Sequence, residues 1–369
     1  MTDLKGKKIL ILHDYFLYKG GGERLIITMA KRLGADIATA FIGADAFNPR
    51  DHGIKTIELY KESRFSRIPG FRYTQVNLAF LFKTRKLIKD YDIIYYSGDC
   101  LNALIPAKGK VNIAYMHTPP RHLYDSYQDR LKTYGLIKKL IFIPYAWINR
   151  VRFSRLSKRF DLIITNSKTV QKRIKDYLHQ DSVVVYPPCN TIDFKWISDG
   201  DYFFSWGRLY PAKRIDMLVE AFSRMHDKKL IVGSGGPELE KIKKIAEGHS
   251  NIQILGWISD DQLLDLLGNS MATAYIPVRE DFGMTPVESM YAGKPVLGVA
   301  EGGMLETVVD GKTGVLLKPD FTVEDIMIAV KEFTPEKARA MKKDCEERAT
   351  LFSEDSFIEG IVEATAKIL

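Results

Sequence analysis

Short apolar runs, each followed by a polar loop and a helical stretch, recur through the first half of the chain. They cover residues 8–12, 36–42, 91–97, 110–116 and 161–165. Continuous rather than alternating apolar runs are typical of strands buried on both faces of a parallel sheet. The pattern predicts an α/β domain whose ligand crevice lies beyond the carboxyl ends of its strands.

A second series of the same kind follows. Its strand-like runs cover residues 202–206, 229–232, 252–255, 271–277 and 295–299, and helices are predicted at 287–292 and 354–369. Pro187 and Pro188 separate the two series and fit a connection between domains. We therefore expect domains at 1–187 and 188–352, with a terminal helix at 353–369 that packs back on the first domain.

Composition narrows the class of protein. With 369 residues, 46% of them hydrophobic, the chain is long enough for two domains with complete cores. The apolar run at 7–12 is interrupted at once by His13 and Asp14, which favours a first strand over a signal peptide. The three cysteines are far apart and lack metal-binding spacing, so we expect a reduced, cytoplasmic protein without structural zinc.

Charge is unevenly divided between the two halves. Residues 1–187 contain 33 Lys and Arg against 16 Asp and Glu, a net +17, whereas the remainder carries −9. Residues 130–160 interleave basic with aromatic and aliphatic side chains, which favours a helix pair resting on an anionic membrane surface. An ordinary surface helix is the alternative. Nucleic acid is disfavoured because no nucleic-acid-binding motif is present.

The most informative stretch is residues 279–288. Glu280 and Glu288 bracket a glycine turn at the start of a predicted helix, where exposed backbone N–H groups favour an anion. Carboxylates can also accept hydrogen bonds from neighbouring hydroxyls, so the stretch could hold a phosphorylated sugar. The alternative is a capping box with Thr285 at the N-cap and Glu288 at N3.

Other candidates follow predicted strands. Gly20–Gly22 forms a glycine loop of neither the dinucleotide nor the P-loop pattern, and it could approach a phosphate or be a plain turn. His117 follows the strand at 110–116, where a ligand crevice is expected. Arg208 and Lys213 follow the strand at 202–206 and could stabilise a diphosphate leaving group, whereas Arg214 is expected to be a solvated neighbour.

In this order the motifs resemble the retaining glycosyltransferases of family 4, which have the GT-B fold. The resemblance covers essentially the whole chain, and its most specific part is Gly207-Arg208 with Lys213 and Glu280-Asp281-Phe282-Gly283 with Glu288. It implies two Rossmann-like, doubly wound domains facing across a cleft. The first is expected on the acceptor side, and the second is expected to hold the donor nucleotide sugar.

The resemblance also implies roles for individual residues. Arg208 and Lys213 would hold the diphosphate, Glu280 the transferred sugar, and His117 would meet that sugar from the first domain. Glu288 would bind the ribose hydroxyls. The remaining donor-binding positions are Gly21, Gly22, Gly207, Gly256, Trp257, Phe282, Gly283 and Met284.

The run His117-Thr118-Pro119-Pro120-Arg121 resembles mannosyltransferases that assemble surface polysaccharides on lipid carriers. It favours GDP-mannose as donor, a saccharide or polyprenyl-linked saccharide as acceptor, Arg121 on the acceptor side, and a peripheral position on the inner face of the membrane. Met284-Thr285 departs from the usual pattern and bears on donor specificity. Neither a cofactor nor a metal is expected. A UDP-sugar donor, a non-catalytic nucleotide-sugar binder and an epimerase remain alternatives.

Overall fold

The computed structural model describes residues 4, 6–17, 19–62, 69–189 and 193–369. The chain divides into two compact units. The first comprises Met1–Tyr186 together with Phe357–Leu369, and the second comprises Pro187–Ser356. The domain boundaries predicted from the sequence lie after residues 187 and 352.

The first unit is built on a parallel sheet. Within its described residues the strand order is β3-β2-β1-β4-β5-β6-β7. The strands are β1 (Ile9–His13), β2 (Asp36–Thr39), β3 (Thr56–Glu58), β4 (Ile93–Ser97), β5 (Val111–Met116), β6 (Leu162–Thr165) and β7 (Val183–Val184). The strand-like runs are confirmed. The sequence reading missed β3, because three half-buried residues leave no apolar run to detect.

Helices connect these strands. They are α1 (Gly21–Leu33), α2 (Pro69–Phe82), α3 (Thr84–Leu87), α4 (Tyr127–Thr133), α5 (Leu136–Ser157) and α6 (Lys168–Leu178). The Ser167 side chain caps α6 by accepting a hydrogen bond from the Val170 backbone N–H. The glycine loop is shorter than expected, because Gly21 and Gly22 already lie in the first turn of α1 and Gly20 is its N-cap.

Both faces of the first sheet are buried. Leu10 and Leu12 of β1 belong to one hydrophobic cluster and Ile9 and Ile11 to the other. Successive strand residues point to opposite faces, so an uninterrupted apolar run fills both cores at once.

The second unit repeats this plan with another parallel sheet. Its order, among the residues described, is β10-β9-β8-β11-β12-β13. The strands are β8 (Tyr202–Ser205), β9 (Lys229–Val232), β10 (Ile252–Ile254), β11 (Ala272–Ala274), β12 (Val296–Val299) and β13 (Gly314–Leu317). The edge strand β13 was not predicted.

The remaining helices are α7 (Ile215–Ser223), α8 (Leu239–Ala246), α9 (Asp260–Gly268), α10 (Met284–Tyr291), α11 (Met304–Thr307), α12 (Val323–Glu332), α13 (Pro335–Ala349) and α14 (Glu354–Ala366). The prediction that α10 begins at Val287 is wrong by one turn. Gly283, with φ +93°, is its N-cap, a left-handed conformation that glycine adopts without strain.

The end of the chain belongs to the first unit. Phe357, Ile358 and Ile361 of α14 lie in the same cluster as Ile9 and Ile11. The Tyr95 hydroxyl on β4 is 2.6 Å from the Thr365 hydroxyl in the buried interior. Among the described residues, every helix is too short or too polar to cross a membrane.

Candidate active site

Three of the predicted catalytic residues, Arg208, Lys213 and Glu280, lie on loops beyond the carboxyl ends of β8 and β11. These strands are neighbours, and the strand order reverses at β8, since β9 pairs with its other edge. In open parallel sheets such a switch point leaves a crevice for ligands. Arg208 and Lys213 follow β8, and Glu280 follows β11. The topology thus brings these distant sequence positions together.

Lys213 is held by two side chains from the β11 loop. Its ammonium donates hydrogen bonds to the Tyr275 hydroxyl at 2.5 Å and to Glu280 Oε2 at 2.7 Å. Burial and the neighbouring Glu280 carboxylate raise the pKa of Tyr275 well above its usual value, so the phenol stays neutral. The ammonium is therefore fixed in position while part of its side chain remains open to solvent.

Glu288 is positioned by Trp206, whose indole N–H donates to Glu288 Oε2 at 3.3 Å. The capping-box alternative is wrong: Gly283 is the N-cap, Thr285 lies inside α10, and the structure shows no side-chain cap at this end. Tyr275 and Trp206 were both missed as positioning residues. Their signal in the sequence was a polar-tipped aromatic directly after an apolar strand.

The loop from Arg279 to Phe282 is shaped by close backbone packing. A Cβ on Gly302 would lie 2.4 Å from the Glu280 carbonyl oxygen, and one on Gly303 would lie 2.4 Å from Phe282 Cα. Arg279 itself adopts φ +47°, which is unusual for a residue with a side chain. The glycine pair Gly302-Gly303 is therefore required for the backbone beside Glu280 to adopt this path.

Three further residues near the predicted donor site, Trp257, Arg208 and Arg214, have different surroundings. The Trp257 side chain, beside Gly256, is 69% exposed, and its indole lies so close to Gly235 that a Cβ there would be 2.3 Å from Nε1. Arg208 places its guanidinium 5.2 Å from the centroid of the Tyr210 ring. The expectation that Arg214 is solvated is wrong, because its side chain is 20% exposed and its guanidinium lies over the Phe321 ring.

In the first unit, three adjacent strands end in a row of polar side chains. His13 ends β1, Ser97 ends β4, and His117 follows β5. The Ser97 hydroxyl lies 3.2 Å from His13 Nδ1 and 3.3 Å from His117 Nε2. A Cβ on Gly22 would lie 3.9 Å from His117 Cε1, so α1 begins directly beside this imidazole.

Burial dominates the electrostatics of this row. It lowers the pKa of His117 to about 4, with a smaller contribution from His13, and it lowers the pKa of His13 to about 4. Burial also raises the pKa of Asp14 to about 6. Both imidazoles are therefore neutral at pH 7 and can each donate one hydrogen bond and accept another.

Arg121 lies in a charged cluster beside this row. Its Nε donates to Asp125 Oδ2 at 3.0 Å, and Arg173 NH2 is 3.8 Å from the same oxygen. Arg173 also donates to the Thr118 hydroxyl at 3.3 Å. The cluster thus adjoins the residue that follows His117. The described part of the chain contains no group of three or more His, Cys, Asp or Glu arranged to hold a metal ion.

Comparisons with known proteins match both halves of the chain. Residues 19–192 match the family described as Glycosyltransferase Family 4, and residues 190–351 match Glycosyl transferases group 1. The chain is 27% identical to alpha-1,3/1,6-mannosyltransferase ALG2 of Dictyostelium discoideum over 88% of this chain and 89% of that protein. It is 25% identical to human ALG2, covering 98% of this chain and 96% of the relative.

Solved structures show the same fold. A sucrose-phosphate synthase from Thermosynechococcus elongatus has a TM-score of 0.76 at 17% identity and covers 97% of this chain and 98% of its own. Anabaena HepE in complex with UDP and glucose has a TM-score of 0.74 at 18% identity, with the same coverage. These likenesses confirm the predicted α/β class with two Rossmann-like domains.

The lowered pKa of the partly buried His117 predicts that stability depends on pH. Between pH 6.5 and about 4 the unfolded chain takes up a proton at this position while the folded one does not, so protonation favours unfolding as the pH falls. In His117→Gln this loss of stability disappears. On going from pH 7.5 to pH 4, the free energy of unfolding of the variant should therefore rise by up to about 3 kcal/mol relative to that of the parent.

Urea unfolding of both proteins from pH 7.5 to 4, followed by hydrogen exchange of β5 peptides, measures this difference. Asp14 has the opposite sign, because its raised pKa favours the folded state as the pH falls, but it is present in both proteins and cancels in the comparison. Parallel curves for parent and variant would contradict the neutral state of His117.

Proposed function

The chain belongs to the family 4, group 1 glycosyltransferases, and from this premise we propose that it is a retaining mannosyltransferase that uses GDP-mannose. The acceptor is a saccharide or a lipid-linked saccharide. The observation that carries the proposal is the Lys213 ammonium, which Tyr275 and Glu280 fix at the β8–β11 switch point, on the same loop after β8 that carries Arg208. The mannosyltransferase relatives, similar over most of their length, support mannose as the transferred sugar.

In the proposed mechanism, charge develops on the diphosphate as its bond to the sugar C1 breaks. Arg208 and Lys213 stabilise that charge, each charge-assisted contact contributing about 1.5–3 kcal/mol. The acceptor oxygen bonds to C1 on the face the diphosphate leaves, and its proton passes to a diphosphate oxygen. Because the two cations supply the positive charge, we propose that no divalent ion is required.

Residues at and near α10 are assigned to the transferred sugar and to the ribose of the donor. Glu280 and the backbone at Phe282, Gly283 and Met284 hold the transferred sugar at the start of α10, where N–H groups point outward. Glu288, oriented by Trp206, accepts from the ribose hydroxyls.

The remaining predicted site residues are given roles from their exposure and their place in the fold. The exposed indole of Trp257, beside Gly256, meets the base, while Gly207 gives the diphosphate close access to the backbone. In the first unit, Gly21, Gly22 and His117 act on the donor, and Arg121 acts on the acceptor side.

A UDP-sugar donor is the second candidate. Anabaena HepE is described in complex with UDP-glucose, but at 19% identity it supports the fold more than the donor. The same site could bind either nucleotide diphosphate, since Arg208 and Lys213 meet only its phosphates. The base and the sugar must therefore be identified by direct binding.

Thermal stabilisation by GDP, GDP-mannose, UDP and UDP-sugars, with EDTA present, tests the donor. A ligand at about 100 times its dissociation constant stabilises by about 2.7 kcal/mol, so the true donor should raise the melting temperature by several degrees. A shift with GDP-mannose alone supports the proposal. A shift with UDP-sugars alone overturns the donor, and loss of binding in EDTA overturns metal independence.

Replacement of Lys213 tests the mechanism. We expect Lys213→Ala to lower kcat at least about 100-fold, because a fixed cation beside the leaving group is lost. Stability should fall by about 1 kcal/mol or less, since the ion pair is partly exposed. Lys241→Ala is the matched control: this lysine also forms ion pairs in the second unit, at 2.7 Å to Asp216. Equal kcat in both variants would remove Lys213 from the site.

We also propose that the first half of α5 rests on an anionic membrane surface at the cytoplasmic face. Leu136, Ile137, Leu140 and Ile141 are 68–82% exposed, and Trp147 is 66% exposed. The buried residues of α5 all lie from Ala146 onward. Exposed apolar side chains interleaved with lysines, in a half of the chain with net charge +17, match a lipid headgroup layer better than water.

Vesicle sedimentation tests this surface. The protein should bind vesicles containing phosphatidylglycerol and bind neutral vesicles at least tenfold more weakly, because anionic lipid attracts the basic half. Ile137→Asp with Ile141→Asp should abolish binding, whereas Ile328→Asp, an exposed isoleucine of α12, should not. Equal binding by both variants would contradict the assignment of α5.

A further inference from the structure

A small polar pocket of about 120 Å³ lies at the switch point of the first sheet, between β1 and β4. It is lined by Asp14, Tyr15, Arg72, Tyr73, Val76 and Asp99. Asp14 follows β1 and Asp99 follows β4, while α2 supplies the other wall. None of these residues takes part in the donor site described above.

The lining chemistry suits hydroxyl groups. Burial raises the pKa of Asp14 only to about 6, so this carboxyl is mainly ionised at pH 7 and accepts hydrogen bonds. Burial also raises the pKa of Asp99. The Tyr15 ring stacks on Phe41 at a centroid distance of 5.5 Å, and the Arg72 guanidinium lies 5.0 Å from the Tyr15 centroid. The Arg152 guanidinium lies 5.6 Å from the Tyr73 ring centroid. Carboxyls beside tyrosine and arginine side chains match the hydroxyl groups of a sugar ring.

The pocket is preorganised by Arg152 of α5. Its guanidinium donates to Asn77 Oδ1 at 2.5 Å, to Asn102 Oδ1 at 2.7 Å and to the Tyr73 hydroxyl at 2.7 Å, and it lies 3.4 Å from Asp99 Oδ1. This network fixes Tyr73 and Asp99 before a ligand arrives, which reduces the entropy lost on binding.

Asp99 also lines a second pocket of opposite character, of about 170 Å³. Its walls include the buried side chains of Leu101, Ala114, Met116 and Phe153 and the partly buried Phe160, and His117 also lines it. A dry cavity of about 150 Å³ can hold a benzene molecule. This space therefore accommodates a group of a few atoms, and a sugar hydroxyl placed among these walls would lose hydrogen bonds to water.

From the two pockets that meet at Asp99, we propose that the acceptor sugar carries a small apolar substituent. Its hydroxyls bind Asp14 and Asp99 in the polar pocket, and its methyl group, from an acetamido group or a 6-deoxy carbon, enters the apolar pocket beside His117. This inference rests on the proposed transferase function, since it names the class of acceptor. It assigns the specificity of the reaction to the first unit.

Saturation-transfer NMR with three octyl glycosides tests the proposal without requiring turnover. The probes are octyl glucoside, its 2-acetamido-2-deoxy analogue and its 6-deoxy analogue, each below its micelle concentration. At least one substituted glycoside should bind at least tenfold more tightly than octyl glucoside, and its methyl protons should receive the strongest saturation. Which analogue binds identifies the substituent. Equal or weaker binding of both analogues, or no binding, overturns the inference.

A substitution that fills the apolar pocket provides a second test. Ala114→Val should remove the preference for the substituted glycoside while octyl glucoside binds as before. Ala107→Val is the matched control, because Ala107 is equally buried in the same cluster but does not line the pocket. If Ala114→Val still prefers the substituted glycoside, the methyl group does not bind in the apolar pocket. If that variant fails to fold, the comparison of glycosides on the parent protein still decides the main claim.

A substitution in the polar pocket tests whether it binds the sugar hydroxyls. Asp99→Asn keeps the size of the side chain and should weaken binding of every octyl glycoside at least tenfold, because the charge on the carboxylate is lost. Thermal stabilisation of the same variant by GDP-mannose is measured in parallel, because the proposed nucleotide site lies in the second unit. Failure of the glycoside arm with intact GDP-mannose binding refutes this inference alone, whereas loss of donor binding in the parent protein refutes the proposed function.

Discussion

The parallel arrangement of the strands is the constraint on which both units depend. In every strand pairing of the described residues the strands run parallel, from β1–β2 to β12–β13. Parallel neighbours require a crossover, so each strand sends its carboxyl end to the same edge of its sheet. Residues far apart in the chain, such as Lys213 and Glu280, meet there because each follows a strand by a few residues.

The charged groups at the edge of the second sheet have neutral aromatic partners, and Lys213 also pairs with the Glu280 carboxylate. Tyr275 fixes Lys213, and Trp206 fixes Glu288. A buried phenol or indole supplies a directed hydrogen bond without adding a charge that would compete with an anionic ligand. The aromatic residues therefore orient Lys213 and Glu288 without adding charge to the site.

The first unit combines two surfaces of different character. The apolar first half of α5 is exposed, whereas its second half carries Arg152 into the polar network around Asp99. One helix thus contributes both to a surface suited to lipid and, through Arg152, to the network that holds Tyr73 and Asp99 in the wall of a pocket suited to a saccharide. That combination is consistent with an acceptor that has a polar and an apolar part.

Much of the fold could be predicted because strands buried on both faces leave uninterrupted apolar runs. Strand β1 is the clearest example, with Leu10 and Leu12 in one core and Ile9 and Ile11 in the other. Strand β3 is half-buried and left no such run, and the edge strand β13 was also missed. The start of α10 was misplaced because a Thr-Pro-Val-Glu pattern fits a capping box, whereas the left-handed Gly283 begins the helix one turn earlier.

The sequence alone determined the α/β class, the two strand series and the residue types at their ends, because these depend on local patterns of burial and on short motifs. Tertiary structure alone decided which side chains hold Lys213 and Glu288, that Arg214 packs on Phe321, and that Asp14 and Asp99 share a pocket. Those contacts join residues on different strands and helices. Their distances follow from strand order and packing, which no local pattern encodes.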